Sequence, residues 1–194
     1  ESLAASTLVE TMLRELAQAG DWPTFRTLWN DSEATDLRCA FQRSRIAAGE
    51  KPKYSPDIDT LWMQPRPAPS LCEPLFTWAR QNGELDDAEV WKRIEAAAIA
   101  ANPGTVSAIA TMLSGNDKAA ADRIAASVSD PASALATAAG WTDTPRNRDA
   151  ISLGMYRFAR KNSAAAEVRW NELENKFSWD PAQKNRVNNA IAIY

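Results

Sequence analysis

Residues 70–95 constrain this chain more than any other stretch. They read Ser70-Leu71-Cys72-Glu73-Pro74-Leu75-Phe76-Thr77-Trp78-Ala79-Arg80-Gln81-Asn82-Gly83 and, shortly after, Asp86-Asp87-Ala88-Glu89-Val90-Trp91-Lys92-Arg93-Ile94-Glu95. A serine before an apolar period caps a helix start, Pro74 falls in the first turn, and Asn82-Gly83 supplies a left-handed stop. A second helix is predicted from Asp86. Its Val90, Trp91, Ile94, Ala98 and Ala101 share one stripe, while Glu89 and Arg93 pair along the wet side. Each helix offers one apolar face that a neighbour must cover.

The same punctuation recurs along the chain. A first helix is predicted from about Ser6 to Ala19, with Val9, Met12, Leu13 and Leu16 inward, Glu10 paired with Arg14, and Gly20 as the stop. Trp22-Pro23 opens a short helix with Phe25, Leu28 and Trp29, and Asn30-Asp31-Ser32 caps a helix carrying Cys39. Residues 49–56 are read as a connection. Ser55-Pro56-Asp57 then starts a brief helix with Leu61-Trp62, which the corner Pro65-Arg66-Pro67-Ala68-Pro69 ends. Asn102-Pro103 starts a helix through Met112 and Leu113 that Gly115-Asn116 stops, and the next runs through Ile124 to about Val128. Asp130-Pro131 begins another, which ends at Gly140. Beyond the connection at residues 141–146 come a helix burying Ile151, Met155, Phe158 and Ala159, a partner with Ala166, Trp170, Leu173 and Phe177, and a last helix from Asp180-Pro181. The helical period is still running at Tyr194.

Alanine blocks, only seven glycines and no β-branched runs make the fold class all-α. About ten short helices joined by short turns suggest stacked pairs, an α-superhelix or solenoid, with no β-sheet. The hairpins also resemble one another. Phe76-Thr77-Trp78-Ala79-Arg80-Gln81-Asn82 with Trp91 downstream lies beside Tyr156-Arg157-Phe158-Ala159-Arg160-Lys161-Asn162 with Trp170 downstream.

Several kinds of chemistry are removed by composition. Histidine is absent, which takes away the imidazole of any nucleophile-histidine pair, and two cysteines are too few for the common zinc sites. No metal site or cofactor is therefore expected, and only carboxylate, lysine or tyrosine chemistry remains open. A net charge of -3 gives no broad attraction to nucleic acid. No apolar run reaches the roughly 20 residues that cross a bilayer, and no charged-then-apolar leader stands at the front. The chain starts at Glu1 rather than methionine, which reads as a processed or trimmed product.

Glu73, Glu84, Asp86 and Asp87 could form an acid–base pair for glycoside cleavage, yet acids at helix starts are better read as partners of the helix dipole. Arg146, Arg148, Arg157, Arg160 and Lys161 are candidates to face an anionic glycan or a peptide carboxylate, or else form a solvated face. Among eight tryptophans, Trp78, Trp91 and Trp170 read as core, while Trp141 and Trp179 sit at connections and are candidates for exposed contact. Spacing leaves Cys39 and Cys72 open. They are buried, inert thiols in a reducing compartment and a bridge in an oxidising one. Cys39 lies off the stripe of Ala34, Leu37, Phe41, Ser44 and Ala48, on the side of Ile46, so its helix should be buried on two faces.

These residues resemble a known family, the α-superhelical, doughnut-shaped region of soluble periplasmic lytic transglycosylases. The resemblance rests on Leu37-Arg38-Cys39-Ala40, Leu71-Cys72-Glu73-Pro74-Leu75-Phe76 with Trp91-Lys92-Arg93-Ile94, and Asp149-Ala150-Ile151 leading to Tyr156-Arg157-Phe158-Ala159-Arg160. Trp170 and Arg186-Val187-Asn188-Asn189-Ala190-Ile191-Ala192 extend it to the chain's end. It implies a parent enzyme that cleaves peptidoglycan glycan strands without water, leaving a 1,6-anhydro-muramoyl end. It also implies that a lysozyme-like C-terminal domain does the work, through one glutamate in a Glu-Ser pair ahead of a Gly-Leu-Met-Gln turn. Here Glu1-Ser2 is followed by Leu3-Ala4-Ala5-Ser6, and no Gly-Leu-Met-Gln occurs. Residues 1–194 are thus expected to be part of the scaffold, with the catalytic domain beyond Tyr194. The implied partners are that domain, glycan strands and other cell-wall proteins. The implied periplasmic address favours a Cys39–Cys72 disulfide. The alternative is a free-standing, tetratricopeptide-like module for protein partners.

Overall fold

A computed structural model describes residues 3–194 of the chain, with side chains from Ser6 onward; the Glu1-Ser2 pair lies outside the described residues. Twelve α-helices and no strand occur among them, so the all-α expectation is met. The chain divides into two compact units, Glu1–Glu89 and Val90–Tyr194, each with a core of its own.

The first unit carries α1 (Leu3–Ala19), α2 (Trp22–Leu28), α3 (Thr35–Ala47), α4 (Asp59–Trp62) and α5 (Glu73–Gln81). Gly20 stops α1 at φ 73°, a left-handed conformation that glycine adopts without steric cost. The inward stripe of α1 differs from the expected one. Leu13 and Ala17 are buried and Met12 is 43% exposed, because the line that meets α2 and α3 runs one position past Met12. Arg14 pairs with Glu10 at 3.5 Å as expected and also with Asp36 of α3 at 2.6 Å. The α3 start is a correction too. Ala34, not Asn30-Asp31-Ser32, stands at its cap, and Ser32 instead accepts the Ala34 N–H and donates to Glu10.

Cys39 and Cys72 form a disulfide joining α3 to the turn Ser70–Cys72. Cys39 is fully buried together with Leu37, Ala40 and Ser44, so α3 is covered on two sides. Ser70 opens that tight turn and α5 follows it, with Pro74 in its first turn; Ser70 is therefore not the cap. A second departure lies at Ser55-Pro56. The peptide is cis and a wide turn, Tyr54–Ile58, precedes α4, so Pro56 does not occupy the first position of that helix.

Across the remainder run α6 (Asp87–Ile99), α7 (Pro103–Ala110), α8 (Gly115–Ser129), α9 (Pro131–Ala134), α10 (Pro145–Lys161), α11 (Ser163–Leu173) and α12 (Pro181–Ile193). Arg93, expected on the wet side of α6, is only 3% exposed, and burial lowers its pKa to about 10. Gly115 starts α8 rather than stopping α7. An extended Ser114 ahead of it turns the chain, and α7 has already ended at Ala110.

The long helix α10 is central to the second unit. It packs on α8, α11 and α12, so Ser152, Leu153 and Gly154 are buried beside Ile151 and Met155, while Phe158 is only half-buried. Gly154 is required by the close approach of α8, since a Cβ there would stand 2.7 Å from the Ser127 Cβ. The α12 start carries a reciprocal cap, in which Asp180 accepts the Gln183 N–H and the Gln183 side chain accepts the Asp180 N–H. No helix among the described residues is long and apolar enough to cross a membrane.

Candidate functional site: a cationic cleft between two helix starts

Thr144 caps α10 by accepting the Asn147 N–H at 3.2 Å, which brings the first turn of α10 beside residues 140–144. The packing of α8 on α10 places the first turns of α8 at the same spot. Together they enclose a cleft of about 500 Å³ lined by Asn116, Asp117, Arg123, Trp141, Arg146 and Asn147 among others.

The side chains of this cleft are held from behind. Asn147 is 5% exposed, donates to the Thr142 carbonyl at 2.8 Å and accepts from Arg123 Nη1 at 2.7 Å. The Arg123 guanidinium lies 5.5 Å from the Trp141 ring centroid. Arg146 stands 3.8 Å from the ring centroid of Trp91 on α6 and reaches Asp149 at 3.4 Å. Trp91 itself is buried, as expected of a core tryptophan, so it acts as the platform for Arg146. Two guanidinium groups and the positive ends of α8 and α10 outweigh the single acid, Asp117.

The seven contact candidates are thus not brought to one place. Trp141 and Arg146 share the cleft. Arg148 is turned to Asp143, whose carboxyl is lowered first by the Ser178 N–H at 2.9 Å and then by Arg148. Arg157 has its Nε buried without a hydrogen-bond partner. Arg160 lies by Tyr156 and Tyr194, and Lys161 donates to the Ser129 carbonyl at 3.4 Å. Trp179 is half-buried against Trp170 and Phe177, and its Nε1 donates to the Glu174 carbonyl. Trp170 is core, whereas Trp78 is only half-buried.

Arg123 and Asn147 were not singled out by sequence. The Thr144-to-Asn147 spacing is that of a capped helix start, and nothing in the chain links Arg123 to Trp141 before α8 and α10 pack. Three of the four acids at residues 73–87 take structural partners, while Glu73 stands exposed in the first turn of α5. Asp86 accepts the Glu89 N–H at 3.0 Å, and Asp87 pairs with Arg80. Glu84 accepts from Lys53 Nζ at 2.6 Å and from the Tyr54 N–H at 3.0 Å, which lowers its carboxyl pKa. It thereby fastens the connection ahead of α4 rather than capping a helix.

No protein-family model matches the chain. The soluble lytic murein transglycosylase of Escherichia coli K12 is 25% identical over 151 residues, covering 76% of this chain and 23% of that protein. The one from Salmonella typhimurium LT2 is 24% identical over 165 residues, covering 84% and 26%. Over most of its length the chain is similar to the soluble lytic murein transglycosylases.

Solved structures agree on the fold. The 70-kDa soluble lytic transglycosylase in complex with bulgecin A matches with a TM-score of 0.79 at 21% identity, over 96% of this chain and 30% of that one. The lytic transglycosylase Slt of Pseudomonas aeruginosa, an inactive mutant, matches with a TM-score of 0.74 at 25% identity, over 95% and 30%. The expected all-α fold class is therefore the one that this relationship carries. The chain spans about a quarter of the length of the curated relatives it matches.

Proposed function

We propose that residues 1–194 form a non-catalytic part of the α-superhelical scaffold of a lytic transglycosylase. The parent would cleave peptidoglycan glycan strands to 1,6-anhydro-muramoyl ends in the periplasm, with its acid on a lysozyme-like domain that follows this segment. The observation that carries the reading is the fold match over nearly the whole chain to about a third of a soluble lytic transglycosylase. The Cys39–Cys72 disulfide supports an oxidising compartment such as the periplasm. Near the central hairpin Glu84, Asp86 and Asp87 are committed to a loop contact, a cap and an ion pair, and Glu73 stands at the positive end of α5, which leaves them poorly suited to proton transfer.

In this role the helices hold the catalytic domain and help shape a passage for glycan strands. Contact with the strands is assigned to Trp141 and Arg146, the two candidates that share the cleft; Arg148, Arg157, Arg160 and Trp179 support the helices that frame it. Sequencing the coding region beyond the Tyr194 codon tests the reading. A Glu-Ser pair followed by a Gly-Leu-Met-Gln turn is expected, and an early stop codon would instead favour a free-standing module for protein partners.

A further inference from the structure

Several arginines of the second unit have an acid partner. Arg146, Arg148, Arg169 and Arg186 pair with Asp149, Asp143, Glu172 and Glu95. Arg123, like Arg157 and Arg160, has none among the described residues, and it lines the cleft between the starts of α8 and α10. Its contacts are the side-chain oxygen of Asn147 and the face of Trp141. Asn147 is buried and locked by Thr142, so Arg123 is held at one N–H while its other donors find no partner among the described residues. A guanidinium fixed in this way is prepared for a planar oxyanion, because its remaining N–H groups match both oxygens of a carboxylate.

The surroundings favour the same ligand. Arg146 is held beside the cleft by Trp91 and Asp149 and remains 40% exposed at its side chain. Ser114 makes no side-chain cap to α8, so the first N–H groups of that helix at residues 115–117 have no side-chain acceptor from their own cap residue. Trp141 adds an apolar wall against which a sugar ring or an aliphatic group can rest. Asp117 opposes a ligand that is purely anionic and suits one that also brings hydroxyl or amide donors.

From this arrangement we infer that the cleft between the starts of α8 and α10 binds a carboxylate-bearing fragment of the wall polymer, with Arg123 as its principal anchor and Arg146 as the second. The inference rests on the scaffold reading above and adds the ligand group to it. Two sources carry that group, the lactyl acid of an unsubstituted muramoyl sugar and the acids of a free peptide stem. The chemistry of recognition is common to both.

The test follows the Trp141 indole N–H resonance of the ¹⁵N-labelled, disulfide-intact chain, assigned through Trp141→Phe. The probes are N-acetylmuramic acid, the stem peptide freed of sugar, and N-acetylglucosamine, which lacks the carboxylate. A saturable shift is expected with at least one acid probe, and which probe acts identifies the source. Binding should fall by about tenfold or more for N-acetylglucosamine, and likewise for the better acid probe with Arg123→Gln or with Arg146→Gln. The rest of each variant's spectrum reports that it is folded. Absence of a saturable Trp141 shift with both acid probes, equal binding of N-acetylglucosamine, or unchanged binding in folded Arg123→Gln would each overturn the inference. None of those outcomes touches the scaffold reading, which stands or falls on where the catalytic acid lies.

Discussion

The guanidinium of Arg146 lies 3.8 Å from the centre of the Trp91 ring, joining the first turn of α10 to the buried face of α6. An arginine over an indole is worth about 1 kcal/mol at a half-exposed site, more than the loose pair it makes with Asp149. Arg146→Ala should lower stability by about that amount, read as a shift in denaturant midpoint at constant slope. Arg146→Lys should recover only part of the loss, because an ammonium lacks the planar surface that covers the ring. Full recovery by lysine would mean that charge alone matters here.

Gly154 of α10 packs directly against Ser127 of α8. A Cβ at residue 154 would meet the Ser127 Cβ at 2.7 Å and Leu135 Cδ1 at 3.2 Å, so α8 and α10 would have to part. Gly154→Ala should cost about 1–3 kcal/mol despite alanine's better helix propensity. Ser127→Gly should relieve much of that loss when combined with it, and a double-mutant cycle measures the coupling. Ser127 Oγ is itself buried without a hydrogen-bond partner. Ser127→Ala should therefore be neutral or stabilising.

Cys39 and Cys72 are separated by 33 positions, and closing a loop of that length in the unfolded chain stabilises the fold by about 3–4 kcal/mol on the chain-entropy account. Replacing both with serine, or reducing the protein, should lower stability by an amount of that order. Thiol titration of the denatured, unreduced protein should find no free sulfhydryl. Two reactive thiols would remove the bridge and the argument for an oxidising compartment with it.

Much of the helical order is legible in the chain because its stops and starts are local. Gly20, Gly83, Asp130-Pro131 and Asp180-Pro181 act within one turn of themselves, and each terminates or opens a helix as its residue type requires. The errors arise where a non-local partner decides. Met12 fits the apolar period of α1, but the neighbouring helices cover Leu13 and Ala17 instead. Arg93 has the polarity of a wet face, yet α6 is covered on that side as well. Gly115-Asn116 carries a stop signal, and the same two residues equally suit the first turn of α8 once Ser114 is extended. The cleft was legible only in part, as Trp141 at a connection and Arg146 in a basic run. Arg123 joins them through helix packing across 24 positions to Asn147, a relation that no short-range pattern encodes.

Acid should weaken the second unit through Asp143. The Ser178 N–H and Arg148 hold its carboxyl below the ordinary aspartate value, so the unfolded chain binds the proton more readily than the folded one. Its contribution is therefore complete above the ordinary aspartate range and is lost as pH falls through that range and then through the lowered folded value. Thermal unfolding followed from neutral to acid pH should show a steeper decline for the native sequence than for Asp143→Asn. Parallel acid limbs would mean that Asp143 is not coupled to folding.

In the proposed role the chain is a frame of paired helices, and bond cleavage belongs to a segment that is not among these residues. Incubating the purified, disulfide-intact chain with purified peptidoglycan, and analysing the soluble fraction by mass spectrometry for 1,6-anhydro-muramoyl sugars, tests that division most directly. The predicted result is none above the level of peptidoglycan alone. Their release in proportion to the amount of chain added would contradict it.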